Sequence, residues 1–94
     1  MVDHVARHLT VSGQVQGVFF RASTRQRAKQ RSVVGWAANR PDGTVEVWLE
    51  GAADDVRAVE DWIVGGGPPA ARVAEVEGAD VEPAGHHRFE IRSG

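Results

Sequence analysis

The chain has 94 residues, of which 41% are hydrophobic and 26% are charged, and its formal net charge is -2. This composition is typical of a globular protein, and the length predicts a single domain over residues 1–94. The absence of cysteine excludes disulfides, thiolate catalysis and zinc–thiolate sites, and the negative charge argues against a general nucleic-acid binder.

The first half of the chain predicts a strand, a loop, a helix and a second strand. Residues 5–12 alternate in polarity, which indicates a half-buried strand with Arg7 on the apolar face. Residues 13–18 form a loop with two glycines, and residues 20–31 predict a helix because they contain neither proline nor glycine. Residues 33–39 predict the second strand, in which Trp36 is interpreted as a packing residue.

The second half begins with a hairpin. Pro41, Asp42 and Gly43 signal a turn, and residues 44–50 then alternate. The inward set is Val45, Val47 and Leu49, and the outward set is Glu46, Trp48 and Glu50. Residues 54–64 predict a second helix, residues 72–81 a strand interrupted near Gly78, and residues 87–92 a short last strand.

The predicted order is therefore βαββαβ with a short added strand. Two helical crossovers and one hairpin indicate an α+β, ferredoxin-like sandwich, with one antiparallel sheet and both helices on one face. Because this fold supports many activities, the function has to be inferred from a site.

The segment from Gly13 to Arg21 indicates an anion site. Two glycines let the main chain curl so that consecutive N–H groups point inward, and the following helix adds the positive end of its dipole. Gly-x-x-x-Gly alone also fits an ordinary strand-to-helix turn with solvated amides. Arg21 favours the anion site, because a cation in a first helical turn opposes the dipole unless an anion lies between them. Its planar guanidinium fits two oxygens of a phosphoryl group.

Asn39 is a candidate for holding a water molecule. Asparagine is common at strand ends, but a strand paired beside the first one would bring Asn39 close to the glycine loop. The basic half of the chain also contains this loop, since residues 1–50 hold seven Arg and Lys against four Asp and Glu. A small anionic ligand is therefore expected there.

These segments resemble the acylphosphatase family. The resemblance rests on Gly13-Gln14-Val15-Gln16-Gly17-Val18-Phe19-Phe20-Arg21, on Gly35-Trp36-Ala37-Ala38-Asn39 and on Asp42-Gly43-Thr44-Val45, and it extends over nearly the whole chain to Phe89-Glu90-Ile91. One departure is Ser32, where members of the family often have glycine after the first helix; a positive φ there would cost some stability.

The resemblance implies an enzyme that hydrolyses acyl phosphates to a carboxylate and inorganic phosphate, without metal or cofactor. It implies that Arg21 and the loop amides bind the phosphoryl group, and that Asn39 orients the attacking water. The amides are those of Val15, Gln16, Gly17, Val18, Phe19 and Phe20. The carboxylate leaving group has a low pKa and needs no general acid, which agrees with the lack of an acid or histidine in the motifs. We further expect a cytoplasmic monomer without nucleic-acid or membrane partners.

Three alternatives stay open on the sequence. A non-catalytic domain of the same fold would bind phosphate in the loop without turnover. An RNA-recognition module of similar topology would need aromatic residues on its central strands, where the third strand offers only Trp48. Acylphosphatase-like domains also occur within larger carbamoyl-transfer proteins, but the length of this chain favours a separate enzyme.

Overall fold

The computed structural model describes residues 3–93 and contains seven regular elements. They are β1 (His4–Gln14), α1 (Phe20–Gln30), β2 (Val34–Asn39), β3 (Val45–Ala52), α2 (Ala53–Val64), β4 (Arg72–Val81) and β5 (Phe89–Arg92). The strands form one sheet in the order β4-β1-β3-β2-β5. The predicted ferredoxin-like fold with two helices and an added short strand is confirmed.

The sheet is mixed, which refines the expectation of antiparallel pairing throughout. The pairs β4–β1, β1–β3 and β3–β2 are antiparallel. The short β5 instead pairs in parallel with β2, from Gly35 opposite Phe89 to Ala38 opposite Arg92. Because β4 and β5 lie at opposite edges of the sheet, the chain that connects them has to cross the sheet from one edge to the other.

The core lies between the sheet and the two helices. In α1 the buried positions are Phe20, Thr24 and Ala28, and in α2 they are Val56, Val59 and Ile63. They pack on the buried side chains of β1 and β3, which are Leu9, Val11, Val45, Val47 and Leu49. The burial of this apolar surface is the main stabilising contribution to the domain.

Gly78 does not interrupt β4, contrary to the prediction. A Cβ on Gly78 would lie 2.4 Å from Nη2 of Arg7, so this glycine leaves room for the arginine on the neighbouring strand. Arg7 donates from Nε and Nη2 to the carboxylate of Glu60 at 2.9 Å each, and from Nη1 to Asp80 at 3.0 Å. The irregularity of this strand pair lies instead at the register shift between Ser12 and Gly13.

The helix-free face of the sheet carries an aromatic row. Trp36 and Trp48 are opposite each other in the β2–β3 register, and their rings stack with centroids 6.3 Å apart. His8 lies within 6.1 Å of the Trp36 ring and 6.3 Å of the Trp48 ring, and the guanidinium of Arg92 lies 5.1 Å from the Trp36 ring. Trp36 is thus half-buried on this face.

Glu50 is buried, although its position in the alternating pattern predicted an outward residue. It is 1% exposed because residues 82–88, which connect β4 with β5, pass over it. Its carboxylate accepts hydrogen bonds from Nε1 of Trp48 at 3.0 Å and from the main-chain N–H groups of Ala84 and Gly85 at 2.9 Å each. Burial alone would raise the pKa of Glu50, but these hydrogen bonds outweigh it and lower the pKa.

Neither helix within residues 3–93 is long and apolar enough to span a bilayer.

Candidate active site

The loop between β1 and α1 presents a run of free main-chain N–H groups. The first amide of α1 with a main-chain acceptor is that of Ser23, which donates to the carbonyl of Phe19 at 3.0 Å. Within residues 3–93, no protein atom accepts a hydrogen bond from the amides of Gln16 to Ala22. Such groups need acceptors, and an anion at a helix N-terminus supplies them.

Glycine conformation and one strained residue shape this loop. Gly13 has φ 121°, and a Cβ there would lie 2.1 Å from the carbonyl oxygen of Arg72 on β4. Gly17 has φ 73° with open space around it, so that only its backbone conformation requires glycine. Phe19 precedes α1 at φ 61° and is 81% exposed. A bulky residue in the left-handed region is typical of functional loops, where the surrounding structure holds the strain.

Arg21 lies in the first turn of α1 and is held by the last strand. Its Nη1 donates to the carbonyl oxygen of Arg92 at 2.8 Å. An arginine has five N–H donors in a rigid fork, so this single bond orients the guanidinium and leaves donors for a ligand. Sequence reasoning did not identify this anchor, because it depends on β5 lying beside β2.

Asn39 is the last residue of β2 and is half-buried. Its side chain forms no hydrogen bond with any residue that the structure describes, so its carboxamide can bind water. Arg21 and Asn39 line one cavity of about 250 Å³. The other lining residues are Val15, Gly17, Phe19, Phe20, Ala22 and Ile91. The structure therefore brings together both predicted side chains and four of the six predicted loop residues.

The remaining two loop residues, Gln16 and Val18, do not line this cavity. Val18 packs against the hydrophobic core. Gln16 extends its side chain to the β2–β3 turn, where Nε2 donates to the carbonyl oxygens of Arg40 at 2.8 Å and Thr44 at 2.9 Å. These two bonds connect the glycine loop to the hairpin that carries Asn39. Neither Ile91 nor this connection was predicted, since both depend on contacts between distant segments.

The chemistry available in the cavity is binding, charge stabilisation and water positioning. Arg21 is its one ionisable lining residue among those described, so the described walls hold no carboxylate or histidine to act as a general acid or base. His8 lies instead on the helix-free face, with Nε2 3.2 Å from the carboxylate of Glu46. Residues 3–93 contain no cluster of three or more His, Asp or Glu side chains that could hold a metal ion.

Comparison with known proteins gives one consistent result. The acylphosphatase family model matches residues 7–91. An acylphosphatase of Natronomonas pharaonis is 44% identical over 98% of this chain and 99% of its own length, and one of Acidovorax sp. is 47% identical over 94% and 90%. The structure of an acylphosphatase from Coxiella burnetii is similar with a TM-score of 0.90 at 36% identity, covering 96% of this chain and 94% of that one.

Proposed function

Because this chain belongs to the acylphosphatase family and hydrolyses acyl phosphates, we propose that Arg21, the loop amides and Asn39 perform the reaction. The loop amides are those of residues 15–20. The observation that carries this proposal is that Arg21, Asn39 and four residues of the glycine loop line one cavity, while no atom of residues 3–93 accepts a hydrogen bond from the amides of residues 16–22. A phosphoryl group supplies the acceptors that these donors lack.

In the proposed mechanism the phosphoryl group enters the loop with its three equatorial oxygens facing the N–H groups and the guanidinium. Asn39 accepts a hydrogen bond from a water molecule and directs its oxygen at phosphorus, opposite the acyl oxygen. A P–O bond forms to the water as the P–O bond to the acyl group breaks. The donors stabilise the charge on the phosphoryl oxygens during transfer.

The proton balance is simple, because the leaving group is a carboxylate that departs without protonation. An acyl phosphate dianion and water give a carboxylate and dihydrogen phosphate, so both protons of the water stay on phosphate. We propose that the second proton passes to a phosphoryl oxygen, since an amide such as Asn39 is no base at neutral pH. Support comes from the lack of a carboxylate or histidine in the described walls of the cavity.

Two variants test these roles. Arg21→Ala is expected to lower kcat/KM by about a thousandfold or more, and to abolish most binding of inorganic phosphate. Asn39→Ala is expected to lower kcat by about a hundredfold with little change in phosphate affinity. Arg27→Ala on the same helix is the matched control, because its guanidinium lies over Trp62, 5.2 Å from the ring centroid. Release of phosphate from benzoyl phosphate measures turnover, and calorimetry measures phosphate binding.

The outcomes separate catalysis from binding alone. Release of phosphate at the same rate by Arg21→Ala and wild type would contradict the role of Arg21. An Asn39→Ala variant that lost phosphate affinity but kept kcat would contradict the water-holding role. A kcat/KM profile that depended steeply on the titration of His8 would contradict proton transfer to the substrate. Phosphate binding without any turnover by wild type would support the alternative of a non-catalytic anion-binding domain.

We also propose that the chain acts as one domain, as a monomer in the cytoplasm and without nucleic-acid partners. One continuous hydrophobic core joins residues from β1 to β5, which supports a single domain. Sedimentation equilibrium would test the monomer, and a gel shift at low salt would test nucleic-acid binding.

A further inference from the structure

A basic groove adjoins the proposed phosphate cavity. It has a volume of about 390 Å³ and lies between α1 and β5, where it is lined by Arg25, Lys29, Arg88, Phe89, Glu90 and Ile91. Ile91 also lines the phosphate cavity, so the two depressions are neighbours that share this residue as a wall. On the α1 side the groove is lined by Arg25 and Lys29.

The cations of this groove continue the line of Arg21 along one face of α1. Arg21, Arg25 and Lys29 follow each other at intervals of four residues, which places them on one side of a helix about 6 Å apart along its axis. A negative charge about 6 Å from a phosphoryl group held by Arg21 would therefore reach Arg25. A negative charge about 12 Å away would reach Lys29.

The other cations within α1 and directly after it already have partners. Arg27 lies over the Trp62 ring, and Nη1 of Arg31 lies 3.5 Å from the carboxylate of Asp55. Arg25 and Lys29, by contrast, are exposed and form no ion pair with any of residues 3–93. Two unpaired cations on the same side of a helix repel each other, and an anionic ligand between them would relieve this repulsion.

The one acidic residue of the groove does not neutralise it. The hydrogen bond from Arg92 lowers the pKa of Glu90, so Glu90 carries a negative charge. Its carboxylate lies 3.3 Å from Nη2 of Arg92 and 3.5 Å from Nη2 of Arg88. Glu90 is thus shared between Arg92 on its own strand and Arg88 directly before that strand, and the charges of Arg25 and Lys29 stay unbalanced.

We propose that this groove binds the acyl part of the substrate and selects acyl phosphates whose acyl group carries a second negative charge, such as a carboxylate. This inference rests on the proposed phosphate site, because the acyl group leaves from the phosphoryl group held by Arg21. Arg25 and Lys29 are binding residues here and take no part in bond making or breaking.

Two rigid substrates of equal size test the proposal. Para-carboxybenzoyl phosphate carries an anion one ring away from its acyl carbonyl, and para-carbamoylbenzoyl phosphate is its neutral isostere. Hydrolysis of the first with water gives the benzene dicarboxylate and inorganic phosphate. The measured quantity is the ratio of the two kcat/KM values, which cancels effects common to both substrates.

Wild type is expected to prefer the anionic substrate by about threefold to tenfold, the range for one or two exposed ion pairs. The double variant Arg25→Gln, Lys29→Gln is expected to bring the ratio close to that of the uncatalysed reactions, and high salt is expected to lower it in wild type. Arg27→Gln is the control: it removes one positive charge on the α2 side of α1, and it should keep the wild-type ratio. Circular dichroism checks that each variant is folded.

A wild-type ratio no higher than the uncatalysed one, or an unchanged ratio in the double variant, would overturn the proposal. An equal fall in Arg27→Gln would also overturn it, because the preference would then come from the overall charge. Hydrolysis of neither substrate would contradict the proposed catalytic site itself. Hydrolysis of both without preference would leave that site intact and refute the groove alone.

Discussion

Replacement of Glu50 by glutamine is expected to destabilise the domain strongly although it changes only one atom. The carboxylate accepts three N–H groups at 2.9–3.0 Å in a site that is 1% exposed. Glutamine keeps one acceptor oxygen and turns an N–H₂ group towards a donor, so at least one bond is lost and the others lose their charge assistance. With about 1.5–3 kcal/mol for a bond to a charged group and about 0.5–1.5 for a neutral one, the lost bonds amount to about 3.5–6 kcal/mol. The neutral amide is less costly to bury than the carboxylate, which reduces the net loss to about 2–4 kcal/mol.

Such a loss is measurable by heating or by urea. For a domain of this size it lowers Tm by about 10–25 °C, while a typical stability of about 5–10 kcal/mol keeps the variant folded at room temperature. Trp48 donates to Glu50, so its fluorescence reports the transition. Glu46→Gln is the matched control on the same strand, because Glu46 is half-exposed in its pairs with His8 and Arg40. It should cost about 1 kcal/mol or less.

Wild type and Glu50→Gln also differ in how their stability depends on pH, and the direction of this difference is defined. The pKa of Glu50 is lowered in the folded state, so its stabilising contribution is complete above the ordinary glutamate pKa and is lost as pH falls through the folded value. The stability difference between wild type and Glu50→Gln should therefore stay constant above the ordinary glutamate pKa and shrink as pH falls below it. Equal Tm values at pH 7, or a difference that persists undiminished in acid, would refute this reasoning.

Four further variants test the loop, the end of β1 before it and the end of α1. Gln16→Ala removes both bonds between the loop and the hairpin that carries Asn39; kcat should fall by about tenfold or more with a stability loss of about 1–2 kcal/mol, and unchanged kcat would contradict this. Gly13→Ala should cost more than about 3 kcal/mol of stability because its Cβ would meet the carbonyl of Arg72. Gly17→Ala has open space around the new Cβ and should cost only about 1–2 kcal/mol. Urea titration measures both losses, and the reversed order would contradict this reasoning. Ser32 has φ 56°, so Ser32→Gly should raise the stability by about 1 kcal/mol, and a lower Tm would count against it.

The features that local pattern determines were predictable from the sequence. The buried faces of both helices follow from the spacing of Phe20, Thr24 and Ala28 and of Val56, Val59 and Ile63. The glycine loop leads into α1 as expected, and Ser32 has the positive φ that the frequent glycine of the family at this position implied. Each of these depends on residues that are close in sequence.

The features that were missed depend on where β5 and the segment before it lie. Alternation in β3 predicts the direction of Glu50 correctly, but its burial requires residues 82–88 to pass over it. The orientation of Arg21 likewise requires the carbonyl of Arg92. Period-two patterns identify strands and faces but contain no information on which distant segment covers a face.

The bond between Arg21 and Arg92 joins residues 71 positions apart, and it ties the proposed catalytic centre to the final strand. A ribosome exposes the glycine loop and Asn39 long before it releases β5, so a nascent chain holds most of the phosphate-binding groups while the guanidinium still lacks its anchor. Contacts of such long sequence separation form late, because loop closure must precede them. Competence for hydrolysis therefore requires β5 to have docked beside β2, and phosphate release is a readout of that docking step during folding.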